Sequence, residues 1–177
     1  MRQIVLLRGI NLGPTNRVAM PALRELLGER GFEEVRTYVQ SGNIVLSSGL
    51  SPAGLADECR RAIAEGFDLD IEVLVRTRDE LAEVLARNPL GDVAINPKRY
   101  QVTFLSTELD QGQVEKLESL AAERERLVVL GREVYAWHPD GVARSKLWAR
   151  LGSKGLGVPA TSRNWSTVET LLEMADA

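Results

Sequence analysis

Three short polar stretches contain most of the residues in this sequence that could bind a ligand. They are RGIN at 8–11, QSGN at 40–43 and SRNW at 162–165. Guanidinium groups pair with anions, and amide and hydroxyl groups add hydrogen bonds. This combination favours a site for a small anion or a phosphate-bearing metabolite. The candidate ligand-binding residues are Arg8, Asn11, Gln40, Ser41, Asn43, Arg163 and Asn164.

The sequence shows no acid–base pair and no set of metal ligands, so it does not decide whether the protein is an enzyme or name catalytic residues. His138 is the only histidine, and since Pro139 follows it, we expect a surface turn residue. Cys59 is the only cysteine. It lies at helical spacing from Leu55 and Ile63, which predicts a core position. The sequence indicates neither a cofactor nor a bound metal.

The first half of the chain predicts the elements that would position these residues. Their order, β-α-β-β-α-β, favours a ferredoxin-like sandwich, in which a four-stranded antiparallel sheet of order 4-1-3-2 packs two helices on one face. Short apolar or alternating runs predict the strands, and Pro at the first helical turn with Gly near the end marks the helices. The predicted strands are 3–8, 33–40, 44–48 and 71–77, and the predicted helices are 20–32 and 51–67.

In this topology, the loop 8–13 and the turn 40–43 lie at the same end of the sheet. The first helix begins there too, and its unpaired backbone N–H groups favour an anion. Arg17 could add a second guanidinium to that of Arg8. A structural alternative remains: Gly9 and Gly42 would serve turn geometry, and the amides would only tie the two loops together.

The second half predicts a smaller α+β unit that repeats the β-α-β-β-α order without a fourth strand. We therefore expect a ferredoxin-like subdomain at 1–77, a linking helix and connector at 78–99, and a C-terminal α+β subdomain at 100–177. The central strands of the first sheet are apolar on both faces. The second half should cover the face opposite the helices, and the candidate ligand site should lie in a cleft between the halves.

The residues around Trp165 predict the start of the last helix. Trp165, Val168 and Leu172 share one helical stripe, which favours a start before Trp165. Arg163 would then lie in the first helical turn, against the helix dipole. We expect Trp165 to pack inward while the Arg163 guanidinium faces a polar cleft. Its partner would be either a structural carboxylate or a ligand anion.

Overall charge and composition limit the classes of partner. A net charge of -3 argues against bulk attraction to nucleic acid or to an anionic membrane. No run approaches the roughly 20 apolar residues of a membrane span, and we expect a cytoplasmic protein. The second hypothesis is a non-catalytic interaction module that binds RNA or forms a homodimer. RNA is less favoured, because Arg36 and Tyr38 belong to a sheet face predicted to be covered.

Several segments in chain order resemble one bacterial protein family. They are LLRGINLG, VRTYVQSGNIVLSS, VLVRT, GREVYAWHPDGVARSKL and ATSRNWSTVETLLEM. Together these segments resemble the domain-of-unknown-function family 1697 over practically the whole chain. The resemblance implies an α+β fold with a ferredoxin-like N-terminal half. It implies no particular reaction, and the oligomeric state is not determined by the sequence.

Overall fold

A computed structural model describes all residues, from Met1 to Ala177. The chain divides into two compact units. The first unit contains residues 1–83 and 170–177, and the second contains residues 84–169. Each unit is built on a four-stranded antiparallel sheet, so the protein is of mixed α+β class. None of its helices combines the length and the apolar character that a membrane span requires.

The first unit has the predicted element order, and the predicted sheet order 4-1-3-2 is confirmed as β2-β3-β1-β4. The helix α2 shows why these boundaries arise: the Ser51 hydroxyl accepts from the Gly54 N–H at 3.1 Å, and Pro52 occupies the first helical position. The elements are β1 Arg2–Leu7, α1 Met20–Glu29, β2 Glu33–Tyr38, β3 Asn43–Ser47, α2 Pro52–Phe67 and β4 Val73–Thr77, followed by α3 Arg78–Arg87.

Both faces of the first sheet are buried at its central strands, as predicted. Val5 and Ile44 belong to the core cluster that includes residues of α1 and α2. On the opposite face, Ile4, Leu6 and Val45 are fully buried. Val73, the first residue of β4, is only half-buried.

The second unit contains a complete β-α-β-β-α-β order, and the expectation that its fourth strand is missing is wrong. The missing strand is β8, Ala160–Asn164, which pairs with β5. The sheet order β6-β7-β5-β8 matches that of the first unit. The elements are β5 Tyr100–Leu105, α4 Gln111–Leu120, β6 Arg126–Leu130, β7 Glu133–Trp137, α5 Lys146–Leu151 and β8, followed by α6 Trp165–Asp176.

The two units repeat one another down to individual register positions. Arg76 is the fourth residue of β4 and pairs with Ile4 of β1. Arg163 is the fourth residue of β8 and pairs with Val102 of β5. Both arginines are buried, and each strand continues directly into a helix. The repeated unit is therefore β-α-β-β-α-β-α with an arginine near the end of its last strand.

Candidate functional site

The loop after β1 and the turn after β2 lie against each other, as the topology predicts. The Asn11 side-chain N–H donates to the carbonyl of Gln40 at 2.7 Å and to that of Val18 at 2.8 Å. The side-chain oxygen of Asn11, Oδ1, accepts from the Val18 N–H at 2.9 Å. We call residues 8–18 and 40–43 the rim. One amide side chain thus ties the two segments of the rim together.

Gly42 fits the structural alternative, since the turn requires it to be glycine. Its φ is +83°, and a Cβ there would lie 2.6 Å from the Cβ of Leu7. The close approach allows the Leu7 N–H to donate to the Gly42 carbonyl at 2.9 Å. Gly42 therefore lets the turn lie directly on the end of β1.

Asn43 closes the same turn from inside the protein. Its side chain is fully buried and donates to the Tyr38 carbonyl at 3.1 Å and to the Ser41 hydroxyl at 2.9 Å. Among the predicted site residues, Asn11, Ser41 and Asn43 are thus brought together with Gln40. The hydrogen bonds of Asn11 and Asn43 shape the rim.

The positive charges of the rim come from Arg8 and Arg17. The Arg8 guanidinium pairs with Glu72 at 2.9 Å, with both side chains partly exposed. Arg17 is exposed and donates to the Gly13 carbonyl at 3.4 Å, which is a weak hydrogen bond. The Gln40 side chain is exposed. These three side chains therefore reach solvent at one end of the sheet.

The helix α1 begins at the rim without a side-chain cap. Its N-cap residue is Ala19, which supplies no side-chain hydrogen bond, and its first turn contains no acidic residue. The unpaired N–H groups at a helix start carry partial positive charge. An anion at this position would satisfy them. The candidate site consists of the start of α1, the Arg17 guanidinium and the side-chain amide of Gln40.

Arg163 lies on a strand, and its predicted place in the first turn of a helix is wrong. Asn164 is the residue that starts α6, because its side-chain oxygen accepts from the Thr167 N–H at 2.9 Å. Arg163 is only 8% exposed and donates to the Thr161 hydroxyl at 2.6 Å and the Ser162 carbonyl at 2.8 Å. Burial lowers its pKa to about 10. Both residues belong to the second unit.

Trp165 packs against an aromatic neighbour in the second unit. Its ring stacks on that of Tyr100 with centroids 4.6 Å apart and an interplanar angle of 10°. The Tyr100 hydroxyl donates to the Asn88 side chain at 3.0 Å and accepts from the Leu90 N–H at 3.3 Å. Burial raises the Tyr100 pKa, while the Leu90 N–H opposes that rise. Trp165 is half-buried, and the ring of Tyr135 is a second aromatic neighbour, with centroids 6.5 Å apart.

His138 is fully buried, and its predicted place on the surface is wrong. Its Nδ1 lies 2.5 Å from a Glu125 carboxylate oxygen, which also accepts from the Ser145 hydroxyl at 2.6 Å. The His138 Nε2 has no hydrogen-bond partner. Since Ser145 donates to Glu125 and not to Nε2, the three residues do not form a nucleophilic triad. They link β7, the loop before β6 and the start of α5.

The Glu125 carboxylate stays charged because of these contacts. Burial alone would raise the pKa of Glu125. Hydrogen bonds from the Ala122 N–H, Ser145 and His138 outweigh the burial and lower the pKa below its ordinary value. No local sequence signal marks this cluster, because Glu125 lies 13 positions before His138.

The comparisons with known proteins identify a family and a fold. The model of the family described as "Protein of unknown function (DUF1697)" matches residues 1–135. A solved structure, that of conserved bacterial protein SP0830 from Streptococcus pneumoniae, is similar over 98% of both chains with 27% sequence identity and a TM-score of 0.75. No curated protein matches the chain.

Proposed function

We propose that this chain, which belongs to the DUF1697 family of proteins of unknown function, binds a small anion or a phosphate-bearing metabolite at the rim. The observation that carries the proposal is the start of α1. Ala19 provides no side-chain cap there, and the first helical turn contains no acidic residue. The strand order also supports classifying the first unit as a ferredoxin-like fold. In that fold the rim and the start of the first helix share one end of the sheet.

The charges around the helix start favour an anion over a neutral ligand. Arg17 is exposed there, and its hydrogen bond to Gly13 is long enough to be exchanged for a phosphate oxygen. Arg8 contributes less, because Glu72 neutralises it. Arg17 therefore supplies the main guanidinium, and the Gln40 amide supplies a neutral hydrogen-bonding group.

The rim is held in place before a ligand arrives. Asn11 ties its two segments together through the carbonyl groups of Val18 and Gln40, so the backbone at Gln40 keeps a fixed position relative to the residues that lead into α1. A site fixed in advance loses little conformational entropy on binding. The proposal concerns binding and assigns no reaction.

Thermal unfolding with increasing inorganic phosphate, and then with a panel of phosphorylated metabolites, tests the proposal. A ligand at 100 times its Kd stabilises the folded protein by about 2.7 kcal/mol. We expect Arg17→Ala to remove most of this shift while it leaves the ligand-free Tm unchanged. Arg61→Ala is the matched control, since Arg61 is an exposed arginine of α2 that pairs with Glu58.

The proposal is overturned if Arg17→Ala and Arg61→Ala respond to the phosphates as the parent protein does. It is also overturned if no phosphate stabilises the parent protein. RNA binding by the first sheet is the weaker candidate, because its opposite face is buried and Arg36 donates to the carbonyl of Met174.

A further inference from the structure

The cleft between α4 and α5 in the second unit is lined by cations from both helices. Its volume is about 270 Å³, and the short 3₁₀ turn Lys154–Leu156 forms part of its wall. Lys116 of α4 and Arg150 of α5 both line it. Arg150 is half-buried and donates to the Gly155 carbonyl at 3.2 Å. No carboxylate pairs with either cation, so the protein itself does not neutralise these two charges.

The first unit neutralises the cations at its equivalent pair of helices. The repeated order of elements makes α1 and α2 the counterparts of α4 and α5. Arg30, at the end of α1, pairs with Glu65 of α2 at 2.5 Å and lies 3.7 Å from Glu58. The two cations of α2, Arg60 and Arg61, also pair with carboxylates. Ion pairs thus join the helices of the first unit, whereas the second unit has unpaired cations on both helices.

The acidic residues near the cleft do not supply the missing partner. Asp110 is the one acidic residue that lines it. Its carboxylate accepts from the Gln113 N–H at 2.7 Å, as part of the capping box that begins α4. Glu115 and Glu118 of α4 are exposed and do not line the cleft. An anion from outside the protein is therefore the remaining partner for the two cations.

The positive charge continues along α5 and the turn that follows it. Lys146 lies four residues before Arg150, so the two side chains are neighbours on one face of the helix and repel each other. Lys146 and Lys154 are both exposed, and residues 141–168 include no acidic residue. We call Lys116, Lys146, Arg150 and Lys154 the basic patch. Four cations around one cleft suit a ligand that carries several negative charges in a row.

We propose that the basic patch binds the phosphate backbone of a single-stranded nucleic acid, with one phosphate in the cleft between Lys116 and Arg150. A groove of cations that follows the backbone is typical of proteins that bind single strands without sequence preference. A flexible strand can bring a phosphate to the half-buried Arg150, whereas a rigid duplex would contact only the exposed lysines. This proposal is independent of the rim, which belongs to the first unit.

The surface of the second unit favours a nucleic acid over a protein or a membrane. The exposed large hydrophobic residues all lie outside residues 100–177. The centre of a protein interface is usually apolar and aromatic, and a helix that lies on a membrane inserts an apolar face. Interfaces with nucleic acids are more polar and more positively charged than those between proteins. The basic patch has the charge and lacks the apolar anchors.

Fluorescence anisotropy of a labelled, mixed-sequence single strand of about 12 nucleotides tests the proposal on the full chain. Four phosphate contacts predict that the binding constant of the parent falls about 50-fold between about 50 mM and 200 mM salt. The double variant Lys146→Gln with Lys154→Gln retains two contacts, so we expect a fall of only about 7-fold. Both lysines are exposed, so the Tm should not change.

Two further variants separate a local site from the effect of overall charge. Arg60→Gln with Arg61→Gln removes the same number of positive charges from α2, and its binding should keep the salt dependence of the parent. Arg150→Gln should reduce the slope of the logarithm of the binding constant against that of salt by about 0.7, and Arg150→Lys should restore it. Arg17→Ala should bind the strand as the parent does, because Arg17 belongs to the rim.

Three results would overturn the proposal. One is a parent chain that does not bind the single strand at about 50 mM salt, where phosphate contacts are strong. Another is a double variant of α2 that loses as much binding as the double variant of the basic patch. The third is equal or tighter binding of a duplex of the same length, or of vesicles that contain anionic lipid, because either ligand would bind without a strand in the cleft.

Discussion

Gly42 supports the rim through the absence of a side chain, and its replacement makes a direct residue-scale test. We expect Gly42→Ala to destabilise the protein by about 1–3 kcal/mol from overpacking against Leu7, with about 1–2 kcal/mol more from the left-handed backbone. Gly13→Ala in the same rim is the control, because a Cβ there meets no atom within 4 Å. Urea unfolding of both variants measures the difference. Equal stability of the two would contradict the proposed role of Gly42.

The lowered pKa of Glu125 predicts that the free energy of unfolding depends on pH, and the direction of the shift sets the sign of that dependence. A carboxyl whose pKa is lower in the folded state stabilises the protein above its ordinary pKa of about 4.3, and this stabilisation is lost as pH falls through the folded value. Glu125→Gln should therefore cost about 1–3 kcal/mol at pH 7, and the difference from the parent should shrink below about pH 4.

Urea unfolding at several pH values checks this prediction. Glu118→Gln, at an exposed position of α4, is the control and should differ little from the parent at any pH. A cost of Glu125→Gln that stays constant from pH 7 to about pH 3 would contradict the role assigned to the carboxylate.

Single residues differ in how far the sequence predicts them. Asn43 acts within its own turn, which a local pattern predicts. Asn11 and Gly42 act on the other loop and on β1, and the predicted strand order is what brings those segments together. The direction of the His138 side chain depends on Glu125, and no local pattern records that pairing. The burial of Arg163 depends on the pairing of β8 with β5, which a stretch of five residues does not reveal.

Asn164 is the last residue of β8, and its side chain caps the first turn of α6. Its replacement therefore tests the corrected boundary between the two elements. We expect Asn164→Ala to destabilise the protein by about 1 kcal/mol, because the Thr167 N–H loses its acceptor. Asn164→Ser should retain most of the stability, because a serine hydroxyl can cap the same N–H. Thermal unfolding of both variants measures this. If both variants lose the same stability, the capping role is wrong.

Elements with strong turn and cap signals were predicted closely, and those that depend on distant pairing were not. The hairpin of β6 and β7 has such a local signal, because Gly131–Arg132 forms a two-residue turn between two apolar runs. The strand β8 was missed, because Trp165 and Val168 continue a helical stripe toward it. Its alternation of Ala160 and Ser162 with Thr161 and Arg163 becomes a strand signal only beside β5.

At the scale of the whole molecule, the chain contains one topology twice, in two units with different sequences. The shared order of elements was visible in the sequence except for β8. The equivalent positions of Arg76 and Arg163 were not visible, since only the registers with Ile4 and Val102 reveal them. The second unit repeats the fold, yet the residues of the rim belong to the first unit alone.

An NMR titration of the full chain with inorganic phosphate tests the central claim most directly. If the rim binds phosphate, the backbone amide signals of Arg17, Met20 and Ala22 should shift with one common Kd, together with the side-chain amide of Gln40. Amides at the opposite end of the first sheet should not move. Phosphate shifts that spread over the surface without saturation, or that spare the start of α1, would contradict the claim.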